Sequence, residues 1–179
     1  MTLAARRALA ARRLAALGLT VPLPDRSPAA VARALGALQA QDLTSGLWSI
    51  GVRTGGSLAE VLAAVDRGEL VRTWPMRGTL HWVAAEDAGW LTRLCAGPAI
   101  RAATRVRASL GLSDEIVEQA GEVWAAYLAT AGTMTRAEAA TVLSENGIDA
   151  SGQRCYHLLV RWSQAGLLVQ GPVRRTPTG

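Results

Sequence analysis

Helix starts and stops constrain this chain more than any other feature of its sequence. Ser57-Leu58-Ala59-Glu60 and Thr135-Arg136-Ala137-Glu138 are capping boxes, in which hydroxyl and carboxylate each satisfy a backbone N–H that the first turn leaves open. Ser27 ahead of Pro28, and Ser113, mark further N-termini, while Gly18, Gly68, Gly147 and Gly166 stand where such runs end. These signals predict helices over 2–17, from Pro28 with Val31, Leu35 and Leu38 as its apolar face, and over 57–66, 86–95, 98–108, 113–129, 135–147 and 151–166. Strand character falls on Leu47 to Val52, on Leu70 to Trp74 and on Thr79 to Val83, the last two flanking Pro75-Met76-Arg77-Gly78, which has hairpin-turn chemistry. The expected fold class is mainly α with small β-hairpins, arranged as tandem winged-helix (helix-turn-helix) units. Residues 1–95 form the first unit, 96–112 a helical connection and 113–179 a second unit, whose wing opens at Leu167-Leu168-Val169 and is cut short in the polar stretch Arg174 to Gly179.

A chain of 179 residues is long enough for one large domain or two small ones, each with its own core, and half of its residues are hydrophobic. Its cationic residues are 19 arginines without a lysine, for a formal charge of +5. A basic balance points to polyanions, nucleic acid above all, because phosphate neutralisation releases counterions; genomic base bias towards Arg and Ala accounts for part of the same composition. Cys95 and Cys155 lack any Cys-x-x-Cys spacing, which argues against a disulfide framework and fits a reduced, cytoplasmic, nucleoid-associated setting. Cys155 and His157 face different ways on one helix, so no metal site is expected with His81, and no cofactor is called for. No run approaches the ~18 apolar residues of a membrane span. The acid-free N-terminus, with Arg6, Arg7, Arg12 and Arg13, reads either as a transit peptide or as an amphipathic helix with Leu3, Ala10, Leu14 and Leu17 along one side.

Three groups of residues carry candidate chemistry. Arg154, His157 and Arg161 fall at i, i+3 and i+7 on the last helix, opposite Cys155, Leu159 and Trp162, which suits either a helix lying on DNA or an ordinary solvated face. The hairpin Arg72 to Trp82 carries Arg72, Arg77, His81 and two tryptophans: Arg77 at the turn suits a phosphate, and His81 suits an extruded base or a structural hydrogen bond. The third group is Leu38-Gln39-Ala40-Gln41-Asp42. On a continuous helix Gln39 and Gln41 diverge by about 200°, so they address one atom only if the backbone leaves the helix, as Asp42, Thr44, Ser45 and Gly46 predict. Two carboxamides at an extended i, i+2 spacing hold a water between acceptor and donor but are no strong base. A reaction that uses them therefore needs a good leaving group, and an alkylated, cationic purine leaving its sugar meets that need.

Leu38-Gln-Ala-Gln-Asp42, then Gly46-Leu-Trp48, then Arg72-Thr-Trp-Pro-Met-Arg-Gly-Thr-Leu-His81 resembles the bacterial winged-helix DNA glycosylases of the AlkZ and YcaQ type, in their Gln-apolar-Gln branch. The resemblance implies a concave basic channel for duplex DNA and excision of alkylated, in some members interstrand-crosslinked, bases without metal or cofactor. It further implies that Gln39 and Gln41 place water and stabilise the sugar cation; the motif gives Asp42 no role. Such proteins carry a third winged-helix unit and a DNA-probing hairpin that 1–179 does not supply, so a missing C-terminal portion or a partner chain is expected. The alternative is a non-catalytic winged-helix DNA-binding protein, or an inactive fragment.

Overall fold

The structure is a computed structural model that describes residues 1–172, and the expected polar end of the second wing, Arg174 to Gly179, lies outside the described residues. The chain divides into two compact units, one built from 1–73, 79–89 and the stretch from Gln170, the other from 74–78 and 90–169.

In the first unit, helix α1 (Leu3–Ala16) starts where Thr2 Oγ1 accepts the Ala5 N–H. It buries none of its residues, and Arg53 ties its end by donating to the Leu17 carbonyl at 2.7 Å. Helix α2 (Pro28–Leu35) has the expected Ser27 cap and N-terminal proline. It stops before the Leu38 that the sequence assigns to its apolar face, because Gly36 turns at φ 75° and Leu38 finds a partner strand. That strand, β1 (Leu38–Gln39), runs antiparallel to β3 (Thr79–Ala84), with Leu38 opposite Trp82 and Gln39 opposite His81.

Residues 47–52, expected as a strand, belong instead to helix α3 (Leu43–Thr54). Two forces override their β-propensity: Asp42 caps the helix by accepting the Ser45 N–H at 2.7 Å, and Gly46, Leu47 and Ile50 are buried together at helical spacing. Helix α4 (Leu58–Asp66) carries the complete Ser57–Glu60 capping box. Strand β2 (Leu70–Met76) joins β3 through Arg77 and Gly78, at φ 57° and 67°; positive φ at both central residues is the geometry of a type I′ hairpin turn. The sheet order is β1-β3-β2, and Val31, Leu38, Ala40, Ile50, Val61, Leu70 and Trp82 sit in one core.

The second unit is mostly helical. Helix α5 (Ala85–Cys95) begins in the first unit and its last residues, from Trp90, belong to the second, which continues through α6 (Gly97–Ser109), α7 (Asp114–Ala131), α8 (Arg136–Glu145) and α9 (Arg154–Gln164). Its core surrounds Trp124, whose Nε1 donates to the Ala139 carbonyl at 3.0 Å. Gly121 on α7 leaves room for the Trp162 indole of α9, whose Nε1 donates to the Val117 carbonyl at 2.8 Å. The last helix begins at Arg154, not Ser151, because the Ser151 N–H is taken by the Asp149 carboxylate in a turn that continues through Gly152 at φ 57°. Leu167 to Val169, expected as the start of a wing, is not a strand; Gln170 instead pairs antiparallel with Arg72. Among the described residues no helix is long and apolar enough to cross a membrane.

Candidate active site on the first sheet

The Gln-Ala-Gln segment is extended. Ala40 is fully buried, while Gln39 and Gln41 on either side of it are exposed, so alternation puts both carboxamides on the outer face. The Ala40 N–H donates to the Leu80 carbonyl at 2.8 Å, continuing the pairing one residue past β1. The Leu80 N–H in turn donates to Gln41 Oε1 at 3.3 Å. Only the carbonyl end of a carboxamide accepts, so this bond fixes which way the Gln41 amide is turned and leaves its NH2 and one oxygen lone pair available. The break that the glutamine pair requires is present, and it lies further upstream than expected, at Leu35 and Gly36.

His81 stands opposite Gln39 and therefore shares its face. It is 8% exposed, and its Nδ1 lies 2.9 Å from the Thr79 carbonyl, which places the proton on that nitrogen. Arg72 reaches the same segment: Nε and Nη2 donate to the Ala40 carbonyl at 2.9 and 2.6 Å, Nη2 also to the Gln41 carbonyl at 3.2 Å, and Nη1 to Gln170 Oε1 at 3.1 Å. Burial pulls the Arg72 guanidinium below its ordinary value, opposed by the Asp42 carboxylate. Asp42 itself is held below the usual carboxylate range, first by the Ser45 N–H and hydroxyl, with Arg72 adding to them against a small desolvation. Its visible task is to cap α3 directly behind Gln41. Arg77 sits exposed at the hairpin turn.

One face of the first sheet thus gathers Gln39, Gln41 and His81, with Arg72 bonded to the backbone between the glutamines. Arg154, His157 and Arg161 belong to α9 in the second unit, where no residue of the helix is exposed. The Arg154 guanidinium donates to the Leu110 and Asp149 carbonyls and pairs with the Asp149 carboxylate. His157 meets Tyr156 edge-on at 5.3 Å; burial, then the nearby Arg107 charge, holds its imidazole below the ordinary value. Arg161 lies over the Trp162 ring at 5.4 Å. Neither the backbone role of Arg72 nor the part of Gln170 has a local sequence signal, since the two stand 98 residues apart. Among the described residues no group of three or more His, Cys, Asp or Glu is placed to hold a metal ion.

The chain shares its fold with a class of proteins described as DNA glycosylases. More narrowly, it belongs to the family described as DNA glycosylase AlkZ-like, whose profile matches residues 32–179. Among solved structures it is similar to the Streptomyces sahachiroi DNA glycosylase AlkZ, at 26% identity and a TM-score of 0.73 over 90% of this chain. The chain spans 45% of the length of that protein. No curated protein matches it.

Proposed function

We propose that this chain hydrolyses the N-glycosidic bond of alkylated purines in duplex DNA, interstrand crosslinks among them. Gln39 and Gln41 hold the attacking water. The observation that carries this reading is the extended, pinned Gln-Ala-Gln segment, with both carboxamides exposed on one face beside His81. Carboxamides do not deprotonate water; they orient it and present dipoles to the positive charge that grows on the sugar as the base leaves. That suffices where alkylation has already made the purine cationic and ready to depart. His81, bonded through Nδ1 to the Thr79 carbonyl, stands opposite Gln39 on the same face and so borders this chemistry. Arg77 at the hairpin turn supplies a phosphate contact, and Arg161 and His157 offer more partly covered ones. Arg154 has its donors engaged by carbonyls and serves the fold.

Incubation of the purified chain with a duplex bearing an N7-alkylated guanine, scored for abasic sites, tests the proposal. Abasic product is the expected result. Salt-dependent binding with no abasic product on any alkylated or crosslinked duplex overturns it in favour of a non-catalytic DNA-binding protein.

A further inference from the structure

We infer that Arg72 is a positioning residue for the glutamine pair, holding the backbone of the Gln-Ala-Gln segment in a clamp that Gln170 completes, and is not a phosphate contact. The inference rests on the reading of Gln39 and Gln41 as the water-holding pair. Strand β1 is two residues long, and its register with β3 is described only for Leu38 and Gln39. Past that point the Ala40 N–H still bonds to β3, but the Ala40 and Gln41 carbonyls turn to the guanidinium. Arg72 thus does for these two carbonyls what a further strand would do. The planar guanidinium brings two nitrogens, Nε and Nη2, to the Ala40 carbonyl while Nη2 also reaches the Gln41 carbonyl; an ammonium has a single nitrogen to set against the same oxygens.

The stem of the clamp is fixed as well. Arg72 and Gln170 exchange both backbone hydrogen bonds at 2.8 Å, and the Gln170 side-chain oxygen takes Nη1. With Nε, Nη1 and Nη2 in four hydrogen bonds to protein oxygens, the group has little left to offer a phosphate. The consequence for chemistry is direct. Gln39 and Gln41 converge on one water only while the peptide between them stays extended, and a displacement of about 1 Å costs on the order of 10²-fold in rate.

The test uses the intact chain and its Arg72→Met, Arg72→Lys and Gln170→Ala variants, with two readouts. Hydrogen exchange at the Ala40 and Leu80 amides, well below the melting temperature, is expected to accelerate in Arg72→Met and to a smaller degree in Gln170→Ala. Single-turnover release of N7-methylguanine from duplex at saturating protein is expected to fall about 10²-fold in Arg72→Met, with Arg72→Lys recovering only part. Duplex affinity stays within about twofold of the parent, with an unchanged salt slope. Unchanged exchange at Ala40 overturns the clamp. So does a loss confined to affinity with a salt slope reduced by about 1, the mark of a lost phosphate contact. If the parent chain releases no base, the glycosylase reading fails by itself, and the exchange measurement still decides whether Arg72 holds the segment.

Discussion

Two glycines of one helix provide a matched pair for testing how the glutamine segment is supported. Gly46 and Gly51 both lie in α3. A Cβ at Gly51 meets nothing within 4 Å, so Gly51→Ala should stabilise the chain by roughly 0.5–1 kcal/mol through helix propensity and chain entropy alone. A Cβ at Gly46 falls 2.9 Å from Trp82 Cδ1 and Nε1 and 3.1 Å from the Ala40 Cβ. Trp82 is 1% exposed and anchored opposite Leu38, so the indole has little freedom to withdraw. Gly46→Ala has the same propensity gain, set against an overpacking cost of about 1–3 kcal/mol. The two variants should therefore differ by about 2 kcal/mol, or roughly 4–8 °C in Tm for a chain of this size. Thermal melts followed by far-UV circular dichroism measure the gap. Because the crowded atoms include the central residue of Gln-Ala-Gln, base release should fall in Gly46→Ala and hold in Gly51→Ala. A Gly46→Ala protein that melts at or above Gly51→Ala refutes the packing argument.

In the second unit, Trp124→Phe removes the donor to the buried Ala139 carbonyl and should cost about 1–3 kcal/mol in urea unfolding; no measurable change contradicts the role of that bond. Arg154→Met strips a donor from the Leu110 carbonyl and should destabilise by a similar ~1–3 kcal/mol while leaving the salt slope of DNA binding unchanged. Arg77→Ala should do the reverse, lowering that slope by about 1 with little effect on unfolding. His157 has a folded pKa below its ordinary 6.5, so the unfolded chain binds a proton that the fold resists. Stability should decline as pH falls from about 6.5 towards the folded value and level off below it. His157→Gln should flatten that part of the profile, as urea midpoints at pH 7.5 and 5.5 will show.

What the sequence reveals follows the range of the interactions involved. The capping boxes at Ser57 and Thr135 and the Arg77-Gly78 turn are local, and they appear where their residues predict. Residues 47–52 mislead because their β-propensity is outweighed by a cap at Asp42 and by burial of Leu47 and Ile50 in one core with Trp82, at least 30 positions away. The glutamine segment is legible as a helix break from Asp42 and the residues after it, although the helix already stops at Gly36. Its strand character is not, since β1 exists only through pairing with His81 and Trp82. Polar patterning on α9 suggests an open face, yet Arg154 turns back to carbonyls at Leu110 and Asp149. A long side chain's partner depends on tertiary placement, and periodicity does not encode it. Arg72 illustrates the same point at the site: a basic residue in a hairpin reads as a DNA contact, and only the fold brings it to the Ala40 carbonyl.

The account turns on both carboxamides acting together on one water. Single-turnover release of N7-methylguanine from duplex, compared for the parent, Gln39→Ala and Gln41→Ala at saturating protein, tests this most directly. The prediction is a fall of at least about 10²-fold in each variant, the scale of losing one preorganised dipole at a developing charge, with duplex affinity and Tm nearly unchanged. Release at the parent rate in both variants contradicts it.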